Sequence, residues 1–132
     1  TSGYRTYAKQ QSLFNNYVNN EIAEGNDRDS AIAAAAKYSA YPGYSEHQTG
    51  LCADMHNLSG ANQKFGYTEA GKWLAANAHR FGFILRYPQG KEEITTYMWE
   101  PWHFRFVGIH HATEIYESGL CLEEYLAEAE VE

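Results

Sequence analysis

Two short stretches of the chain contain side chains that can bind a metal ion or move a proton. Within the stretch SEHQTGLCAD, the imidazole of His47 precedes the carboxylate of Asp54 by seven residues. Within the stretch EPWH, the carboxylate of Glu100 precedes the imidazole of His103 by three residues. Two neutral imidazoles and one carboxylate are enough to hold zinc and leave a position open to water. The remaining carboxylate would exchange a proton with that water, so the residue types suggest a mononuclear zinc hydrolase.

The spacing of these residues leaves two interpretations open. A histidine seven residues before an aspartate is a loose pattern, and Pro101 rules out a mid-helix ligand pair made by Glu100 and His103. Pro101 instead indicates a bend that lets the two side chains converge. On the residues alone, a zinc site and a hydrogen-bonding network explain the pattern equally well.

The other histidines have simpler interpretations. The chain has six histidines in all. We interpret His79 as structural because it falls near the end of a predicted helix, where a cation interacts favourably with the helix dipole. His110 and His111 adjoin a predicted helix start and are also interpreted as structural. The residue types alone do not decide between a structural and a functional role for His56.

Helices and short strands are expected to position these groups. Thr6 and Thr68 are predicted N-caps, and Gly82 is a predicted C-terminal stop. Trp73 and Phe81 are predicted to belong to the apolar stripe of the third helix. Helices are predicted at about residues 6–22, 29–37, 68–81, 111–117 and 122–128, and strands at about 51–55, 83–87, 94–99 and 103–107. This order predicts an α+β fold with a small antiparallel sheet flanked by helices.

Composition narrows the class of protein. A length of 132 residues predicts one domain over residues 1–132, and the high aromatic content of 15% argues against disorder. The net charge of −7 argues against a nucleic-acid partner or binding to an anionic membrane surface. No stretch has the ~20 apolar residues of a membrane helix, and no signal peptide is visible. Since the chain opens without an initiator Met, we expect an excised domain whose targeting or anchoring segment is not present.

Four stretches, in order along nearly the whole chain, resemble the VanY-type D-alanyl-D-alanine carboxypeptidases. They are SGYR near the beginning, SEHQTGLCAD, EPWHFR and the late EIYESGL. These zinc peptidases belong to a group that also contains the dipeptidase VanX, and they share their fold with the hedgehog signalling domain. The resemblance implies a zinc metallo-carboxypeptidase that removes the terminal D-alanine from peptidoglycan stem peptides.

The resemblance also implies roles for individual residues. It makes His47, Asp54 and His103 the ligands of one zinc ion per chain, and Glu100 the catalytic base. Arg5 becomes the cation that steadies the substrate or the developing oxyanion.

Two further positions match substrate-binding positions of the family, and one departs from its pattern. Gln10 and Ser45 correspond to residues that bind the peptide and its terminal carboxylate in related peptidases. Cys52 stands where these enzymes usually have a small residue such as alanine. Cysteine is otherwise sparse, with only Cys121 in addition, so neither a disulfide framework nor a cysteine zinc site is expected. The simplest interpretation of Cys52 is a buried small apolar residue.

Two alternative functions remain beside the main one. An L,D-carboxypeptidase acting on tetrapeptide stems would use the same Arg5, Gln10 and Ser45. A binding module that keeps zinc without hydrolysis would not need Glu100, and the presence of Glu100 favours an enzyme. In each case the expected partner is a peptidoglycan stem peptide or precursor. We expect a monomer on the extracytoplasmic face of a bacterial cell, anchored through a segment absent from this chain and acting in wall remodelling or in antibiotic resistance.

Overall fold

The computed structural model describes residues 1–130. Within this range the chain forms six α-helices and three β-strands. The helices are α1 (Tyr7–Ala23), α2 (Arg28–Ala35), α3 (Glu69–Asn77), α4 (Glu92–Thr95), α5 (Ile109–Ser118) and α6 (Leu122–Ala129). The strands are β1 (Cys52–Asp54), β2 (Phe83–Leu85) and β3 (His103–Phe106), and 3-10 turns span Glu46–Thr49, Gln63–Tyr67 and Ala78–Phe81. The predicted α+β class is confirmed.

The three strands form an antiparallel sheet with β3 in the centre, in the order β1-β3-β2. Asp54 of β1 lies opposite His103 of β3, and Cys52 lies opposite Arg105. Side chains two apart on a strand share a face, as do directly opposed residues of an antiparallel pair. All four side chains therefore lie on one face of the sheet, which we call the polar face. Phe104 points to the other face and is completely buried.

Helices α1 and α2 pack together beside the polar face. The Thr6 hydroxyl accepts a hydrogen bond from the Lys9 N–H at 3.1 Å, so the predicted N-cap is confirmed. Phe14 and Val18 of α1 form a buried cluster with alanines of α2. The small side chain of alanine lets the two helix backbones approach closely. The two helices therefore pack as one unit next to the N-terminal residues of the chain.

Helix α5 packs against the edge strand β2, and α3 packs against the 3-10 turn that precedes it. Ile84 of β2 packs with Ala112 and Ile115 of α5 in a second buried cluster. On α3, Gly71 contacts the preceding 3-10 turn so closely that an added Cβ would lie 2.0 Å from the carbonyl oxygen of Phe65. The absence of a side chain at Gly71 is thus a packing requirement.

The predicted strand over residues 94–99 is wrong. This segment instead begins inside the short helix α4, and Thr96 follows in the left-handed conformation with φ 67°. The Met98 N–H then donates to the Lys37 carbonyl at 3.0 Å. Because that hydrogen bond ties the segment to the end of the α2 region, its backbone is not available to extend the sheet.

The predicted apolar stripe of α3 is only partly correct. Trp73 and Phe81 are 53% and 58% exposed, and their rings pack on each other at 6.4 Å on the surface. The predicted stop is confirmed, since Gly82 has φ 85°. Among the helices of residues 1–130, none combines the length and apolar character needed to cross a membrane.

Candidate active site

His47 is held by the 3-10 turn that precedes β1. The Ser45 hydroxyl accepts a hydrogen bond from the His47 backbone N–H at 3.3 Å, and Gly50 ends the turn with φ 75°. The imidazole Nδ1 lies 2.7 Å from the carbonyl oxygen of Gly3. A carbonyl can only accept, so Nδ1 donates to Gly3 and Nε2 is the ring nitrogen directed at the polar face.

Three predicted ligand atoms meet at this face. The Asp54 Oδ1 atom lies 3.0 Å from His47 Nε2 and 3.6 Å from His103 Nδ1. Two atoms bound to one zinc ion at about 2.0–2.1 Å with tetrahedral angles would be about 3.3 Å apart. The two separations from Asp54 Oδ1 are close to this value, and the three side chains are all buried.

Glu100 joins the ligand atoms through a tight turn around Pro101. The His103 backbone N–H donates to the Glu100 carbonyl at 3.1 Å, and Glu100 Oε2 lies 3.4 Å from His103 Nδ1. The bend inferred from Pro101 is confirmed. Burial raises the pKa of the Glu100 carboxyl and the nearby Asp54 carboxylate adds to this effect, while His103 opposes it. A buried carboxyl with a raised pKa beside the ligand atoms has the properties of a proton carrier.

Arg5 connects the start of the chain to this cluster. Its backbone N–H donates to the His47 carbonyl at 3.0 Å. Its guanidinium donates to Asp54 Oδ2 at 2.8 Å, to Gln10 Oε1 at 3.2 Å and to Ser2 Oγ at 3.0 Å. Gln10 is 1% exposed and its amide in turn donates to the carbonyl of Ala40 at 2.8 Å. Gln10 therefore fixes the orientation of Arg5 in this structure.

These side chains line one cavity of about 190 Å³. All seven residues predicted from the sequence belong to its lining, and a cavity of this size can hold the end of a peptide. Its remaining walls include four residues that the sequence did not single out: Tyr87, Tyr97, Met98 and Trp102.

Glu46, next to His47, is the centre of an ion-pair network that sequence reasoning missed. Its Oε1 accepts from Arg86 Nε at 2.7 Å and from Arg105 Nη1 at 2.9 Å. Its Oε2 lies 3.2 Å from His103 Nε2. Burial alone would raise the pKa of Glu46, but His103 and Arg86 outweigh it and lower the pKa to about 2. Because the ionised carboxylate accepts from His103 Nε2–H, Nδ1 is the ring nitrogen that faces Asp54 and Glu100.

The network extends to the last helix. Arg86 also donates to both carboxylate oxygens of Glu123 on α6, at 2.9 and 2.6 Å. The residues of this network lie far apart in the sequence, so no local sequence pattern predicts their ion pairs. Arg86 and Arg105 come close to Glu46 only when the strands and α6 are assembled.

Cys52 is a further donor at the polar face. Its sulfur and one ring nitrogen from each of His47 and His103 all lie within 4.8 Å of one another. Burial tends to raise the pKa of the thiol, but hydrogen bonds with His103 and His47 outweigh it, so the pKa is lowered. The interpretation of Cys52 as a buried residue is confirmed, since it is 4% exposed.

The remaining histidines lie elsewhere. His79 stacks on Tyr116 with ring centroids 3.9 Å apart, as a structural residue would. His56 Nε2 lies 2.9 Å from the hydroxyl of Thr1. His110 and His111 are exposed on α5.

One family model and several known proteins match this chain. The family model described as VanY, D-alanyl-D-alanine carboxypeptidase, matches residues 1–109. A D-alanyl-D-alanine carboxypeptidase of Enterococcus faecalis is 50% identical over 125 residues, which cover 95% of this chain and 46% of that protein. The chain thus spans about half the length of this curated relative.

Two solved structures show the same fold. A vancomycin-resistance D,D-pentapeptidase VanY mutant, solved in complex with Zn(II), is 49% identical with a TM-score of 0.86. The alignment covers 96% of this chain and 69% of that one. The LdcB LD-carboxypeptidase is 44% identical with a TM-score of 0.78, with 96% of this chain and 56% of that chain covered.

Proposed function

Because the chain belongs to the VanY family of D-alanyl-D-alanine carboxypeptidases, we propose that it removes the terminal D-alanine from peptidoglycan stem peptides. We take residues 1–132 as one catalytic domain that acts on the extracytoplasmic side of a bacterial cell. The observation that carries the proposal is the meeting of His47, Asp54 and His103 beside the buried Glu100.

In the proposed site, His47 Nε2, Asp54 Oδ1 and His103 Nδ1 hold one zinc ion. Zinc in such a site supplies Lewis acidity toward water and toward a carbonyl oxygen. Each imidazole is fixed through its other nitrogen, His47 by the carbonyl of Gly3 and His103 by the carboxylate of Glu46. Such outer contacts set the tautomer and the ring orientation of a ligand.

Glu100 is the proposed base. Its carboxylate takes a proton from the attacking water and later gives it to the amine of the departing D-alanine. Pro101 and the hydrogen bond between the Glu100 N–H and the Tyr87 carbonyl, at 3.1 Å, hold the side chain in place. Burial removes competing water from around the carboxylate.

Arg5, Gln10 and Ser45 are the proposed substrate-binding residues. The guanidinium of Arg5 is planar and permanently charged, which suits a carboxylate or a developing oxyanion. Its present contact with Asp54 Oδ2 holds that charge in the lining of the cavity. Gln10 holds the guanidinium in position, and Ser45 lines the cavity next to His47.

Two substitutions test the assignment of metal and base. His47→Ala is expected to lose stoichiometric zinc in elemental analysis, and normal zinc content would remove it from the ligand set. Glu100→Gln is expected to keep zinc and to lower turnover by about 10²- to 10⁴-fold or more. Glu69→Gln is the matched control, because the side chain of Glu69 is 96% exposed. Unchanged turnover in Glu100→Gln would contradict its role as base.

The similarity to an LD-carboxypeptidase supports an alternative specificity for the same site. Separate incubation with pentapeptide and tetrapeptide stems, followed by mass spectrometry, distinguishes the two. Release of D-alanine from the pentapeptide supports the D,D assignment. Shortening of the tetrapeptide alone would replace it with L,D-carboxypeptidase activity.

A further inference from the structure

Two histidines and a glutamate at the start of α5 form a second cluster of metal-binding side chains, apart from the candidate active site. We propose that His110, His111 and Glu114 bind a second divalent transition-metal ion, for which zinc is the probe. Among residues 1–130, the lining of the catalytic cavity includes no residue of α5. The inference therefore adds a site to the protein and does not depend on the proposed function.

The helix places two of the donors side by side. His110 and Glu114 are four residues apart on α5, so their side chains are neighbours on the helix surface. His110 Nε2 lies 3.4 Å from Glu114 Oε1. Two such donors bound to one tetrahedral zinc ion at about 2.0–2.1 Å would be about 3.3 Å apart. This pair can therefore hold an ion without a change of the backbone.

His111 supplies the third donor. Its Nδ1 lies 3.9 Å from Glu114 Oε2. One nitrogen of each ring and one carboxylate oxygen all lie within 4.8 Å of one another. The two histidine side chains are 78% and 57% exposed, so each ring has room to rotate toward a shared ion. Water molecules would complete the coordination, because the site is open to solvent.

Tyr125 of α6 holds the carboxylate from the other side. Its hydroxyl donates to Glu114 Oε2, which leaves Oε1 facing His110. Outer contacts of this kind fix the orientation of a metal ligand. The same hydroxyl lies 2.8 Å from His111 Nδ1, and the ring would exchange this contact for the metal ion. The carboxylate is thus positioned before an ion arrives.

The donor types and the surrounding charge determine which ions this site suits. Imidazole nitrogens suit zinc, copper and nickel, whereas magnesium and calcium prefer oxygen ligands. Glu117 and Glu128 line a groove that Glu114 also lines, and the chain has a net charge of −7, so this surface attracts cations. Because its donors are exposed, we expect the site to bind zinc more weakly than the buried candidate active site and to fill only in excess zinc.

Zinc stoichiometry tests the proposal. The full chain is dialysed against excess zinc, and bound zinc is measured by elemental analysis for wild type, His110→Ala, Glu114→Gln and Glu117→Gln. Wild type should bind two zinc ions per chain, whereas His110→Ala and Glu114→Gln should each bind one. Glu117→Gln is the matched control, because it removes the same charge from an exposed position of the same helix but removes no proposed ligand. It should bind two.

Turnover of a stem peptide identifies the ion that is lost. Both variants that bind one zinc ion should keep wild-type turnover, because neither changed residue lines the catalytic cavity. Loss of turnover with the second ion would assign that ion to the catalytic cavity and overturn the inference. A single zinc ion in wild type would also overturn it, as would two in both His110→Ala and Glu114→Gln. Loss of the second ion in Glu117→Gln would attribute binding to the charge of the groove and contradict the ligand assignment.

Discussion

Replacing Glu46 with glutamine should weaken both the fold and the metal site, through two different contacts. The carboxylate side chain is 14% exposed and accepts from Arg86 and Arg105, while its second oxygen meets His103. Glutamine has nearly the same shape but no charge. It can still accept through one oxygen, but it can no longer balance two guanidinium groups.

The magnitude follows from these contacts. Hydrogen bonds to charged groups contribute about 1.5–3 kcal/mol each, and breaking a buried ion pair costs about 3–5 kcal/mol. Since glutamine retains one acceptor, we expect the free energy of unfolding to fall by about 3 kcal/mol, the low end of that range. For a chain of this size this corresponds to a fall in Tm of about 10 °C. Loss of the contact that orients His103 should weaken zinc binding by about 10- to 100-fold.

Glu123→Gln is the control that separates the two effects. Glu123 binds the same Arg86 but has no contact with His103 among the hydrogen bonds of the described residues, and its side chain is 35% exposed. We expect a loss of about 1 kcal/mol and unchanged zinc affinity. Thermal melts of the zinc-free proteins and chelator competition supply the two measurements. Equal loss of zinc affinity in both variants would refute the argument that Glu46 acts through His103.

Two further predictions concern the scaffold. Gly71→Ala should destabilise the protein by about 2–3 kcal/mol in denaturant unfolding, because its methyl would meet the carbonyl of Phe65 at 2.0 Å. Gly60→Ala, where nothing lies within 4 Å, should be tolerated, and equal losses in the two variants would contradict the packing argument. The second prediction concerns Glu124. The hydrogen bond from Lys91 has the largest effect on this carboxyl and the one from the Cys121 N–H the next largest, and together they lower its pKa to about 2. Its stabilisation is therefore full above about pH 4.3, the ordinary value of the group, and is lost as the pH falls through about 2. Glu124→Gln should melt below wild type at pH 7, the gap should shrink as the pH falls to 2, and a gap at pH 2 as large as at pH 7 would refute this assignment.

The sequence predicted those parts of the fold that local chemistry determines. Thr6 and Thr68 cap their helices because a hydroxyl next to free N–H groups acts within a few residues. The segment 94–99 was mispredicted because its β-branched and aromatic residues have strand propensity, yet a hydrogen bond to Lys37 fixes another path. Trp73 was misplaced for a related reason, since helical spacing shows that residues share a face but not that the face is covered.

In the candidate site, too, local features were predictable and long-range contacts were not. Pro101 predicted the bend that brings Glu100 to His103, because proline restricts the backbone locally. The identity of the ligands came from the resemblance to a family, and their roles stay predictions. The contacts of Glu46 with Arg86 and Arg105 could not be predicted, because they depend on how distant strands and helices are assembled.

Successive side chains of β1 point to opposite faces of the sheet. The residues on the polar face therefore depend on the number of residues before β1 as well as on their types. Asp54 faces His103 because β1 keeps its register with β3. If one residue were inserted between Gly50 and β1 and the strand slipped to accommodate it, every side chain of β1 would turn to the opposite face. Ala53 would then take the place of Asp54, and the carboxylate would point into the hydrophobic layer around Phe104. Relatives of this chain should therefore vary in length outside the stretch from His47 to Asp54, and a one-residue change inside it should remove metal binding without altering any ligand residue.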